Sequence, residues 1–293
     1  MINTIKTLIL FLGFFFGSCK KEDPIPLQEN HVHTQQEINT MARLATENLT
    51  MGNPSGAGTT NLNNYLLSKF TWTGAYNASR GTCTWVSWHL DPTWKGTAAR
   101  CNCFASDATL PTGVYRVPNT AYSSSGFDRG HNCPSEDRDF SSTDNRETFL
   151  MTNMIPQSPN NNQRTWNNME TYIRKFMYLG NECYIIMGSY GTGGTGSSGT
   201  RTTLDNGRVT VPAFVWKVVL FIPQGTNDIS RVTTTSRIIA VITPNNQTVN
   251  SSWGVYRTTV DAIESATGLD LFSNLPDSIE SVLESTVDTG PTL

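Results

Sequence analysis

Four apolar runs separated by turn-rich segments set the frame for this chain. Residues 84–90 (TWVSWHL), 183–188 (CYIIMG), 211–222 (VPAFVWKVVLFI) and 238–242 (IIAVI) are rich in β-branched and aromatic side chains and read as strands. None approaches the 18 residues of a spanning helix. Residues 191–200 form a Gly/Ser/Thr loop without the GK[ST] ending of a phosphate-binding loop, and read as a hairpin connection. Residues 259–267 read as a helix stopped by Gly268, with Asp261 and Glu264 in its first turns. At 293 residues the chain has ample length for a hydrophobic core.

The N-terminus has a different texture. Lys6 precedes an apolar stretch at 8–16 (LILFLGFFF), too short to cross a bilayer as a mature helix, and Gly17-Ser18-Cys19 is followed at once by Lys20-Lys21-Glu22-Asp23-Pro24. This resembles the lipobox of bacterial lipoproteins. The resemblance implies a signal peptide at 1–18, lipidation of Cys19, and an exported protein anchored to the outer membrane through its N-terminal lipid. Residues 19–60, rich in Gln, Asn, Thr, Pro and Gly, read as a polar tether, with a short helix near 35–48 and the folded domain at 61–293.

Cys19 aside, five cysteines remain: Cys83, Cys101, Cys103, Cys133 and Cys183. In an oxidising compartment they allow at most two disulfides and a spare thiol, with connectivity open. A zinc site from Cys101, Cys103, His131 and Cys133 is an alternative, although C-x-C is tighter than the usual ligand spacing. A sequence pI near 5.8 excludes a generally basic polymer binder, so affinity for nucleic acid requires a local arginine patch. Residues 61–220 carry 14 Lys+Arg against 11 Asp+Glu, whereas the stretch from 221 carries 3 against 8 and reads as a solvated acidic face.

Chemistry concentrates between 126 and 174. In Gly126-Phe127-Asp128-Arg129-Gly130-His131-Asn132-Cys133-Pro134, a carboxylate, a guanidinium and an imidazole fall within four positions, and Gly130 would permit a bend that aims Arg129 and His131 at one site. A histidine is the natural general base at neutral pH. Further on, Pro156 and Pro159 forbid helix up to about residue 160. Beyond them Trp166, Met169, Ile173 and Phe176 or Met177 mark the buried side of a helix carrying Asn162, Glu170 and Arg174. Eight residues of α-helix rise about 12 Å and leave Asn162 and Glu170 roughly 80° apart. The two should therefore not both bind one metal directly. If Asn162 is a ligand, Glu170 acts through a metal-bound water, and a cation held by one neutral oxygen keeps most of its waters, as Mg²⁺ prefers. There is no D-x-D or dense carboxylate cluster of the two-metal kind.

The DRGH core, the N-x-x-P-Q-x-x-x-x-N-Q-x-x-W-x-x-x-E pattern and the later Val211-Pro212 and Trp216-Lys217 resemble the DNA/RNA non-specific endonucleases of the Serratia nuclease and endonuclease G type, over roughly residues 62–276. The resemblance implies an α+β fold: a His-Me (ββα-metal) finger on a central, mainly antiparallel β-sheet flanked by helices. It implies His131 as general base, Asn162 as the direct ligand of one Mg²⁺ (for which Mn²⁺ can substitute), and Glu170 as holder of a metal-bound water. Arg129, Arg174 and, more loosely, Arg100 would grip phosphate or stabilise the transition state. Asn153 would support the histidine region, and Asp128 would anchor the loop. The implied reaction is hydrolysis of DNA and RNA to 5′-phosphate products through phosphate and sugar contacts. The alternative is a non-catalytic surface lipoprotein that captures nucleic acid. Asn132-Cys133 departs from the family's small or apolar pair. His89 and the tryptophans Trp85, Trp88 and Trp216 read as structural, and Arg138 and Arg146 as candidate extensions of a phosphate-binding face.

Overall fold

The computed structural model describes residues 47–292; Cys19, the apolar leader and most of the expected tether lie outside the described residues. Strands β1 (Tyr65–Ser68), β2 (Thr73–Asn77) and β3 (Thr82–Leu90) open the chain. Then come β4 (Asp128–His131), helix α1 (Ser142–Glu147), β5 (Met154–Gln157), helix α2 (Asn167–Met177) and β6 (Asn181–Tyr190). The small strands β7 (Gly194–Gly196), β8 (Gly199–Arg201), β9 (Thr203–Leu204) and β10 (Val209–Thr210) lead into β11 (Phe214–Pro223). Helix α3 (Asp228–Arg231), β12 (Arg237–Pro244), β13 (Arg257–Thr258), α4 (Val260–Thr267) and α5 (Asp277–Glu284) complete the fold.

The four apolar runs become β3, β6, β11 and β12, the middle of a seven-stranded antiparallel sheet of order β1-β2-β3-β6-β11-β12-β13. These strands are buried along nearly their whole length because both sheet faces are covered. Alternation along β11 sends Val215, Val219 and Phe221 into a core shared with Trp166, Met169, Ile173 and Met177 at the base of α2. Trp216, Val218, Leu220 and Ile222 enter a second core with Val260 and Ile263 of α4 and Leu283 of α5. Trp85, Trp88 and Trp216 are fully buried in these layers, as their strand positions imply. Helix α4 starts where its capping side chain predicts: Thr259 Oγ1 accepts from the Ala262 N–H, and Gly268 closes it at φ +72°. The loop at 191–200 holds the β7–β8 hairpin. Among the described residues no helix is long and apolar enough to cross a membrane.

Three expectations need correction. Packing begins before residue 61: Asn48 is buried with its carbonyl accepting from Ser87 Oγ and its Oδ1 from the His89 N–H, and Ser55 Oγ accepts from Trp85 Nε1. Residues 47–60 thus close the open side of β3, a role their polar composition concealed. The zinc alternative fails, because Cys101 and Cys103 form a disulfide while Cys133 lies in the core with Cys83 and Cys183, all three as free thiols. Arg138 extends no phosphate-binding face. Its guanidinium is wholly buried, stacks 3.9 Å over Trp94, and donates to the carbonyls of Thr71, Asp137 and His89. Arg146, by contrast, is exposed.

Replacing that guanidinium with an apolar chain leaves three buried carbonyls short of donors. Arg138→Met is therefore expected to lose about 3 kcal/mol or more of unfolding free energy. Urea unfolding followed by tryptophan fluorescence measures it; an unchanged midpoint would contradict the assignment.

Candidate active site

Strands β4 and β5 form a separate antiparallel ribbon that pairs Asp128 with Gln157 and His131 with Met154. Helix α2 follows, so the unit is strand, strand, helix. Arg129 and His131 reach one cleft by strand alternation, because positions i and i+2 share a face. The expected glycine bend is absent. Gly130 lies in regular strand, and a Cβ there would sit 2.6 Å from the Gln157 Cβ. Its lack of a side chain makes room for Gln157, whose Nε2 donates to Asn161 Oδ1 and holds the start of the following helix.

That start is a π-helical turn over Asn161–Trp166. A widened turn absorbs one extra residue, so eight positions sweep about the angle that seven sweep in an α-helix, and the expected offset of roughly 80° shrinks to about 20°. Asn162 and Glu170 accordingly line the same cleft, with a volume near 640 Å³, together with Arg100, Arg129 and His131. Asp128 turns the amide of Asn162: its Oδ2 accepts from Asn162 Nδ2 at 2.9 Å and from Gln163 Nε2 at 2.8 Å. The Asn162 carbonyl oxygen takes no hydrogen bond from any described residue. Asp128 is thus more than a loop anchor, since it fixes which end of the amide is left unclaimed.

His131 sits in an aromatic box. Its ring meets Phe149 edge-on at 4.8 Å and Phe104 at 5.8 Å, while Arg100 lies over Phe149 and Arg129 over Phe104. Nε2 is buried without a partner among the described residues, which leaves Nδ1 as the nitrogen facing the cleft. Burial, followed by the positive charges of Arg100 and Arg129, pushes the imidazole pKa down to about 3. The ring is neutral at pH 7 and free to accept a proton.

Two expected site residues lie behind the cleft, Asn153 in the supporting place expected of it and Arg174 away from the phosphate-gripping place expected of it. Asn153 is fully buried behind the cleft, with its Nδ2 donating to the carbonyls of Cys133 and Thr148 and its Oδ1 accepting from the Cys133 N–H. Every polar atom of its amide is engaged in holding the loop after His131, so it positions and does not react. Arg174 does not line the cleft. Its guanidinium is bound by Asp137 and Glu136, and Asp137 also receives Trp88 Nε1. It braces the short turn that carries Ser135, and Ser135 Oγ in turn accepts from Arg100 at 2.6 Å.

Sequence reasoning missed three supports. Asn145 Oδ1 accepts from the Cys101 N–H, and its Nδ2 donates to the Ser135 and Arg138 carbonyls, which fixes the arm that bears Arg100. Asn167 lines the cleft beside Glu170. Lys217, fully buried in β11, donates to Glu170 Oε1 at 3.0 Å. Lys217 was visible as the lone charge inside an apolar strand, and such a charge needs a partner. On the other sheet face, His89, Glu182 and Asp228 bring donor atoms within 4.8 Å of one another and could hold a metal. There the guanidinium of Arg231 already bridges both carboxylates.

The depressed pKa of His131 has a direct readout. Followed by NMR, its ring resonances should show no titration between pH 5 and 8, whereas solvated histidines titrate near 6.5. A midpoint above about 6 for His131 would remove the neutral-base reading.

The comparisons with known proteins agree with this geometry. The model of the DNA/RNA non-specific endonuclease family matches residues 48–278. A nuclease of Nostoc sp. is 43% identical over 242 residues, covering 82% of this chain and 85% of the relative. Mitochondrial endonuclease G of Bos taurus is 27% identical over 186 residues, covering 59% and 62% of the two chains. A chain in the crystal structure of the EndoG/EndoGI complex superposes with a TM-score of 0.65 at 20% identity, covering 81% of this chain and 93% of that one, so the fold is shared. With its α+β architecture and its matched length, the chain belongs to the DNA/RNA non-specific endonuclease family of phosphodiester hydrolases.

Proposed function

We propose that this chain is a Mg²⁺-dependent endonuclease that cuts both DNA and RNA with little sequence preference, exported and tethered to the outer membrane by lipid on Cys19. The observation that carries the catalytic reading is a neutral, dry imidazole at His131, flanked by Arg100 and Arg129, in the same cleft as an unclaimed amide oxygen on Asn162.

In this reading a phosphate enters between the two guanidiniums, whose charge-assisted hydrogen bonds hold its non-bridging oxygens and stabilise the charge that grows in the transition state. Nδ1 of His131 takes a proton from water, and the hydroxide adds to phosphorus in line with the leaving 3′ oxygen. The P–O3′ bond breaks, leaving a 5′-phosphate and, once protonated, a 3′-hydroxyl. As the phosphate gains charge, the imidazolium becomes easier to form, which offsets the cost of charging a buried ring.

The residues suit a hard divalent cation: the Asn162 oxygen, oriented by Asp128, would ligate it, and the Glu170 carboxylate, one of whose oxygens is engaged by Lys217, would hold a water bound to it. Such an ion supplies Lewis-acid stabilisation of charge on the phosphate and leaving oxygens. Contacts to phosphate and sugar, which carry no base information, account for low sequence preference. Domain limits follow the packing, with the catalytic unit beginning by about residue 47 and the tether before it.

Purified protein given circular plasmid or RNA should degrade both in Mg²⁺ and neither in EDTA, with His131→Ala slower by at least a hundredfold. Binding without cleavage would instead favour the nucleic-acid-capture reading. The anchor is tested apart from the chemistry: Cys19→Ser should abolish fatty-acid labelling and move the protein from the membrane to the soluble fraction, with nuclease activity kept. Labelling that persists in Cys19→Ser would refute the lipid assignment.

A further inference from the structure

The acidic stretch after residue 221 is not simply a solvated face. Helices α4 and α5 lie against each other, and each turns acidic residues toward the other. Asp261 and Glu264 are three apart on α4, and Glu280 and Glu284 are four apart on α5, so each pair shares a helix face. Carboxylate oxygens of Asp261, Glu264 and Glu284 lie within 4.8 Å of one another. Like charges at these spacings destabilise a helix, and here two such pairs face each other.

Two further observations separate this cluster from ordinary surface acidity. Glu284 is only 8% exposed, and its Oε1 is buried with no hydrogen-bond partner among the described residues; the same holds for the Oε1 of Glu280. A buried carboxylate oxygen without a donor is rare in folded proteins, and a bound ion is one way to satisfy it. Moreover, among the described residues no lysine, arginine or histidine forms an ion pair with Asp261, Glu264, Asp270, Glu280 or Glu284. The His89–Glu182–Asp228 group differs on this point, since Arg231 neutralises it from within.

We propose that Asp261, Glu264 and Glu284 form a structural binding site for a Ca²⁺-like divalent cation that clamps α4 to α5. Donors that are all carboxylate oxygens select a hard cation. Two oxygens on one Ca²⁺, each 2.3–2.6 Å from it, can lie up to about 5 Å apart, which accommodates the observed spread better than the tighter shell of Mg²⁺. One Glu264 oxygen accepts the Leu271 N–H at 2.6 Å, which anchors that side chain and leaves its second oxygen for the ion. Without a cation, the cluster is relieved only by taking up protons: burial, then neighbouring carboxylates, push Glu280 up to about 7 and Glu284 up to about 8.

The site is remote from the cleft, so binding is read out without reference to nuclease activity. Thermal unfolding of the full chain at pH 8, in saturating Mg²⁺, should shift upward by about 5 °C when millimolar CaCl₂ is added. Glu284→Gln should lose that shift while matching or exceeding wild-type stability without Ca²⁺, because a repelling charge is gone. Asp261→Asn, at an exposed position, gives a second variant that folds whatever the fate of the first; calorimetric titration with CaCl₂ should show its affinity reduced at least tenfold. No Ca²⁺-dependent shift in the wild type, or an equal shift in both variants, would overturn the proposal and leave a protonated carboxyl cluster in its place.

Discussion

A lysine cut off from water joins the sheet to the catalytic helix. Lys217 stands in the middle of β11, on the strand face that otherwise feeds valine and phenylalanine into the core, and its ammonium lies 5.7 Å from the ring centre of Trp88 and 5.1 Å from that of Trp166. Its hydrogen bond to Glu170 is the pairing that makes this burial tolerable, since an uncompensated buried charge costs several kcal/mol. The pair also does geometric work. A rigid central strand dictates where Glu170 sits, and through Glu170 it sets the rotation of α2 over the sheet. The π-helical turn then adjusts the other end of the helix so that Asn162 opens onto the same cleft.

The same economy of placement keeps His131 neutral. Burial alone would lower the affinity of an imidazole for protons, and two arginines lower it further. Neither arginine is loose. Arg129 is held by the Asn119 carbonyl and the Phe104 face, and Arg100 by Ser135, Asn102 and the Phe149 face. Phe104 and Phe149 therefore serve twice, drying the histidine on one side and supporting a guanidinium on the other. Asn153 completes the arrangement from behind by fixing the backbone at Cys133.

Much of this was legible in the sequence, wherever a local rule carried the information. The strands followed from β-branched and aromatic runs, α4 from Thr259 and Gly268, and the buried side of α2 from apolar spacing. The paired DRGH and asparagine motifs brought His131, Arg129, Asn162 and Glu170 to one cleft. What failed depended on tertiary context. A π-turn leaves the periodicity of its neighbours nearly intact, so apolar spacing gives no sign that the angle between Asn162 and Glu170 differs from that of a regular α-helix. Arg138 and Arg174 have the composition of surface arginines, and only the fold shows that buried carbonyls claim the first and Asp137 and Glu136 the second. Residues 47–60 are polar in composition, yet they pack because their amides cap the open side of β3.

Three carboxylates, Glu136, Asp139 and Glu170, line the cleft, and each has a basic partner. Asp128 lies at the mouth of the ribbon, where an open carboxylate would repel the substrate. Its Oδ2 is instead covered by the amide hydrogens of Asn162 and Gln163, so its charge reaches the cleft as the oriented dipole of an amide oxygen. Glu170 is balanced by Lys217, and Asp139 by Lys95. Arg100 and Arg129 pair with no carboxylate among the described residues, their hydrogen bonds going to carbonyl, amide and hydroxyl oxygens. Glu136, at the rim, shares Arg174 with Asp137, so two guanidiniums without an ionic partner stand beside carboxylates that each have one, inside a chain whose overall charge is −3. Acidic residues elsewhere, concentrated after residue 221, give the molecule its net negative charge, while the two unpaired guanidiniums stay local to this cleft.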